Sequence, residues 1–102
     1  MVSFITPTKA QQIIAMNLRE RRLQLDLTQE GLASRSGVPL ATLRKFEQQG
    51  VLSLESLLKL MMVLGMLDAM VKSTEVQKDS FSSLDEVIAL ESVPKRKRGR
   101  KS

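Results

Sequence analysis

Arg44 and Lys45 stand side by side a few residues beyond the run Gly37-Val38-Pro39, with Leu40, Ala41 and Thr42 leading up to them. A guanidinium and an ammonium in this setting carry permanent charge and hydrogen-bond donors, which suits binding acceptor-rich partners and not moving protons. The rest of the chain offers little for catalysis. It contains no Cys and no His. A thiol nucleophile, an imidazole base and a zinc site of the usual type are therefore excluded. Glu20, Glu47 and the other carboxylates form no recognisable acid–base pair with a nucleophile, and there is no Gly-rich phosphate loop. No catalytic residue, cofactor or metal ligand is expected, so the chemistry to look for is recognition.

The elements that would position Arg44 and Lys45 are two short helices joined by a tight turn. Thr28 offers its hydroxyl as an N-cap for a helix from about Gln29 to Ser36. Leu32 and Ala33 face inward, and the small Ala33 lets two helices cross closely. Gly37 follows where a left-handed residue is needed. Val38 then plugs the core and Pro39 sets φ at or beside the start of the next helix. That helix, about Leu40 to Gln48, turns Leu43 and Phe46 inward and leaves Leu40, Ala41, Thr42, Arg44 and Lys45 on or near its outer face. A helix-turn-helix is the economical reading, with the second helix in a DNA groove. Arg44 and Lys45 then reach guanine or phosphate, Thr42 a base or phosphate, and Leu40 and Ala41 a thymine methyl. Thr28 and Gln29 open a helix N-terminus whose free donors attract phosphate. An ordinary solvated lysine remains the alternative for Lys45.

The run LRERRLQLDLTQEGLASRSGVPLATLRKFEQQG resembles the Cro/C1 (XRE-type) repressor family in Thr28-Gln29, Leu32-Ala33, Gly37-Val38, Leu43, Glu47 and Gly50. The resemblance covers about Asn17 to Met66. It implies that Gln29 clamps a phosphate and that Arg22 pairs with Glu47, tying the first helix to the recognition helix. Two positions depart from the family pattern. Gly31 stands where Glu is usual, so a capping box on Thr28 lacks its far half. Pro39 stands where Ser or Thr is usual, so a side-chain cap and a phosphate contact are lost.

The formal net charge of +5 is unevenly spread. Residues 1–94 hold ten basic and eleven acidic side chains, whereas the last eight residues hold six basic and none acidic. Positive charge in the body gathers between Arg19 and Lys45, and from Val51 to Pro94 acidic residues outnumber basic ones seven to three. A basic reading face with an acidic far side suits approach to DNA in one orientation. Leu and Met are abundant, Pro and Gly scarce, and no period-2 run appears, so the class is all-α. MVSFITPTK lacks a charged start followed by an apolar block, and the apolar window Val51 to Val71 is interrupted by Glu55, Lys59 and Asp68. A cytoplasmic, nucleoid-associated protein without a membrane span is expected.

A domain of residues 1–72 is expected to hold five helices. The first runs from Thr6-Pro7 to about Leu25, with Ile13, Ile14, Met16, Leu18, Leu23 and Leu25 broadly helical in spacing. Arg19 and Arg21 are open to solvation or phosphate contact alike. After Gly50, Ser53 caps a helix from about Leu54 to Leu64, and a short fifth helix follows Gly65. These segments carry more large apolar side chains than so small a domain can bury. Leu58, Met61, Met62, Met66, Leu67 and Met70 are therefore expected at a homodimer interface, with a tightly packed monomer core as the alternative. Two recognition helices in a dimer would read a palindromic operator.

Residues 73–83 read as a polar linker. Leu84, Val87, Ile88 and Leu90 then recur at near-helical spacing within a short amphipathic helix, residues 84–93, which either packs on its own domain or docks on another protein. The basic tail, residues 94–102, is expected to be disordered alone and drawn to polyanions. Its Arg98-Gly99-Arg100 resembles the core of an AT-hook, in which the arginines enter a narrow minor groove. The order of segments resembles the DNA-binding antitoxins encoded beside HipA-type toxin kinases. That resemblance implies repression of its own operon and a kinase partner. The competing readings are a protein-interaction module on the same fold, against which Arg44, Lys45 and the tail argue, and a stand-alone regulator with no toxin partner.

Overall fold

Thr6 starts the first helix: its hydroxyl accepts from the Lys9 N–H at 3.1 Å, and Pro7 occupies the first helical position. In the computed structural model of the chain, which describes residues 4–76, this helix (α1) runs Pro7–Gln24. Four more follow: α2 Gln29–Ser36, α3 Leu40–Gln49, α4 Leu54–Leu64 and α5 Leu67–Ser73. Among the described residues there is no strand. The chain divides into two units after Lys72, at the end of α5. Residues 84–93 and the tail with Arg98 and Arg100 lie outside the described residues.

Each helix begins and ends for a local reason. Thr28 and Ser53 cap α2 and α4, their hydroxyls accepting from the N–H of Gly31 at 2.9 Å and of Ser56 at 3.1 Å. Pro39 caps α3 by its backbone alone, with no side-chain hydrogen bond. The turn between α1 and α2 contains Asp26 at φ 57°, in a left-handed conformation that a short polar side chain tolerates.

Ala15 and Leu18 of α1, Leu32 of α2, Val38 of the turn, Leu43 and Phe46 of α3, and Leu60, Met61 and Leu64 of α4 form one buried core. Fully burying a Leu contributes about 1.5–3 kcal/mol before chain entropy is set against it. α1 packs on α3 and α4, and α2 packs on α3 and α4, so α3 rests on α1 and α2 rests on α4, two helices that pack on each other.

Two expectations change here. On α1 the buried stripe is Ala15, Leu18 and Arg22, while Met16, Leu23 and Leu25 are exposed. A helical period of 3.6 rotates Met16 and Leu23 off the face that Leu18 and Arg22 share, whereas Leu25 falls past the end of α1 as its C-cap. On α4, Met61 is buried within its own core, so it is not a surface residue free to meet a second copy. Met66, Leu67 and Met70 are partly buried and packed against the same core, as is Leu57. The exposed apolar residues of α4 are Leu54, at 62 %, and Met62, at 60 %, with the half-buried Leu58 between them. The monomer absorbs much of the apolar excess.

Gly50 closes α3 at φ 76° and lies against α1: the Gln11 amide donates to the Gly50 carbonyl at 3.2 Å. A Cβ here would come within 3.1 Å of the Gln11 carbonyl oxygen. Gly37 has a similar φ of 80° but nothing within 4 Å of its Cβ position. Replacing Gly37 by Ala should cost about 1–2 kcal/mol from the backbone alone. Gly50→Ala should cost more, because α1 must also move. Urea unfolding of the two variants measures the difference, and equal losses would refute the close approach of α1 to this turn.

Candidate nucleic-acid interface

The outer face of α3 follows from its period. Ala41, Arg44, Lys45 and Gln48 are all exposed and fall at i, i+3, i+4 and i+7, whereas Leu43 and Phe46 are buried on the opposite side. Leu40 and Thr42 are half-buried at the edge of this face, and Pro39 is exposed just before it. Gln48 was not anticipated among the reading residues, although its spacing from Ala41 and Arg44 places it in line with them. Its amide has the donor–acceptor pair that matches an adenine edge.

The position of α3 is held by a buried ion pair. Arg22 Nε donates to Glu47 Oε2 at 2.8 Å and Nη2 donates to Oε1 at 3.0 Å, a two-bond fork. Arg22 Nη1 also donates to the Leu27 carbonyl at 2.9 Å, in the connection between α1 and α2. The side chains are only 7 % and 5 % exposed. Gln29 Nε2 supplies a third donor to the carboxylate, at 2.9 Å from Oε1. Burial raises the Glu47 pKa, but the Arg22 hydrogen bonds, the Gln29 amide and the charges of Arg22 and Arg19 outweigh it. The carboxyl is held below its ordinary value of 4.5.

Several of the candidate residues have partners within the protein. Gln29, which the resemblance makes a phosphate clamp, turns its amide inward to Glu47 and accepts from Arg44 Nε at 3.3 Å. Arg44 also donates through Nη2 to Glu30 Oε2 at 3.4 Å, with the two side chains 50 % and 67 % exposed. Glu30 was not anticipated, because no local spacing rule links positions on successive helices. Thr28 is exposed and its hydroxyl is engaged in capping α2. Lys45 makes no ion pair or side-chain hydrogen bond among the described residues, so it presents a free cation.

Arg21 is engaged within the protein. Its Nε donates to the Leu64 carbonyl at 3.0 Å, satisfying the end of α4, and Nη1 donates to Gln24 Oε1 at 3.4 Å. Ser36 is a buried polar residue that sequence reading passed over. Its hydroxyl accepts from the Val38 N–H at 3.1 Å and bonds the Ala33 carbonyl at 3.4 Å, stitching the turn. Among the described residues no group of acidic, His or Cys side chains could hold a metal ion, and no helix is long and apolar enough to cross a membrane.

Two helices joined by a Gly-Val-Pro turn and packed on α1 and α4, the second presenting Arg44 and Lys45 outward, define a helix-turn-helix DNA-binding domain. The helix-turn-helix sequence family of the Cro/C1 type matches residues 18–68, half of the chain, and the protein belongs to that family. It is a DNA-binding regulator. No curated protein and no solved structure gives a significant match to the chain.

Removing either member of the buried pair leaves an uncompensated charge, so Arg22→Met or Glu47→Leu should each lose about 3–5 kcal/mol. The double variant should lose less than the sum, because two apolar groups need no partner. Because the folded-state pKa of Glu47 is depressed, its contribution is present above pH 4.5 and lost as pH falls through the lowered value. Urea midpoints of wild type and Glu47→Gln, followed downward from neutral pH, should therefore converge in acid. Parallel curves would show that Glu47 titrates normally.

Proposed function

We propose that the protein is a sequence-specific transcriptional repressor that binds a palindromic operator as a homodimer. The observation that carries this reading is the outer face of α3, where Arg44 and Lys45 stand exposed beside Ala41 and Thr42 on a helix locked by the Arg22–Glu47 pair. A rigid helix face with two cations and few bulky side chains suits entry into the major groove. Thr28, Pro39 and Leu40 border that face and would approach the flanking phosphates or a thymine methyl. Arg98 and Arg100 would add salt-sensitive contact to phosphate or a narrow minor groove.

The second copy would meet the exposed stripe of α4 formed by Leu54, Leu58 and Met62, extended by the partly exposed Met66, Leu67 and Met70. Isologous pairing through one face gives the two-fold symmetry that a palindrome requires. At the level of the operon, the order of repressor module, amphipathic segment and basic tail supports an antitoxin that represses its own genes and binds a HipA-type kinase. The segment 84–93 is the place for such a partner to dock.

A gel shift on the DNA immediately upstream of the coding sequence, run across a salt series, tests the reading. The full chain should give discrete, sequence-dependent complexes, and Arg44→Ala/Lys45→Ala should abolish them. A truncation ending at Pro94 should keep the preference for this DNA but show a shallower salt dependence. No preference over random sequence in the full chain would remove the repressor reading and leave the interaction module in its place.

A further inference from the structure

Arg44 does not project into solvent alone. It is held along one edge by α2: Nε bonds Gln29 Oε1 at 3.3 Å, and Nη2 bonds Glu30 Oε2 at 3.4 Å. Gln29 is itself fixed, because its Nε2 donates to the buried Glu47 carboxylate at 2.9 Å and its Oε1 is thereby turned toward Arg44. A continuous chain of donors and acceptors thus runs from Arg22 through Glu47 and Gln29 to Arg44.

The edge that is occupied matters. A guanidinium has a side edge, formed by Nε and Nη2, and an end edge, formed by Nη1 and the second N–H of Nη2. α2 engages the side edge, and no bond from Nη1 is formed among the described residues. The end edge is the one that can donate two parallel hydrogen bonds to guanine O6 and N7.

We propose that Glu30 and Gln29 are positioning residues that hold Arg44 by its side edge so that its end edge reads a guanine, which makes Glu30 a determinant of sequence specificity. The inference rests on the DNA-binding reading above and names the device by which one residue of that face discriminates. Holding the side chain in advance lowers the entropy lost when a base pair is read, and this benefits a contact that needs orientation. A phosphate contact needs charge more than orientation, and the Glu30 carboxylate opposes it. Glu30 therefore favours guanine twice over, by aiming the arginine and by repelling backbone. Lys45, with no such partner, remains a cation that serves any sequence alike.

Binding of wild type, Glu30→Ala, Arg44→Ala and the double variant is measured by fluorescence anisotropy on two probes, the upstream fragment and a random-sequence duplex. Thermal unfolding serves as a control for folding, which the exposed Glu30 should leave unchanged. Glu30→Ala should weaken binding to the upstream fragment by roughly two- to tenfold, the effect of freeing one rotamer-rich side chain. Binding to the random duplex should stay equal or tighten. In the Arg44→Ala background the substitution at Glu30 should no longer weaken the upstream complex. Replacing guanine by 7-deazaguanine in the fragment removes the N7 acceptor and should penalise wild type more than Glu30→Ala. Equal tightening on both probes would overturn the proposal by showing that Glu30 only repels phosphate. An effect on the upstream fragment that persists without Arg44 would overturn it as well. A wild type that prefers neither probe would defeat the DNA-reading hypothesis itself, whereas a preference untouched by Glu30→Ala would defeat this proposal alone.

Discussion

The bidentate pair between Arg22 and Glu47 is the constraint on which the rest of this small domain depends. It joins α1 to α3 across the core and, through the Leu27 carbonyl and the Gln29 amide, also secures the connection between α1 and α2 and the start of α2. Two charges this deeply buried are expensive to desolvate, and replacing the pair by apolar side chains could match or exceed its stability. What an apolar contact could not supply is direction. The fork accepts one orientation of Glu47, and with it one rotation of α3 about its own axis. The face that carries Arg44 and Lys45 is set by that rotation.

The other arginines of α1 divide the work differently. Arg21 closes the end of α4 through the Leu64 carbonyl, so α1 touches the support helix by a hydrogen bond as well as by Leu18. Arg19 contributes charge toward Glu47. A basic helix end that resembles a DNA-facing patch in the sequence is thus largely turned to internal use. The exposed positive charge that remains on α3 is correspondingly small, and each of its members matters more.

Where the helices stop is as important as where they pack. Gly37 and Gly50 both take left-handed backbone, yet only Gly50 lies so near another helix that a side chain would strike it. Pro39 starts α3 with no side-chain cap, and inside the turn the Ser36 hydroxyl accepts from the Val38 N–H. On α2, Thr28 bonds Gly31 but receives no reciprocal side chain, since Gly31 has none to give.

The helices, their caps and the class of fold were determined by the sequence itself, because N-caps, glycine stops and apolar spacing act over three or four residues. Thr6, Thr28, Ser53, Gly37 and Gly50 could each be placed from neighbours alone, and helix ends shift by only one residue at Gln24 and Gln49. The pairing of Arg22 with Glu47 was reachable only through the family resemblance, since no local rule connects positions 25 apart. The inward turn of Gln29, the hold of Glu30 on Arg44, the use of Arg21 at the end of α4 and the burial of Met61 were decided by tertiary structure alone. Each depends on the rotation of one helix relative to another. A shift of one residue in register moves a side chain by about 100° around the helix, from reading face to core. Sequence periodicity defines which residues share a face, and packing decides what that face meets.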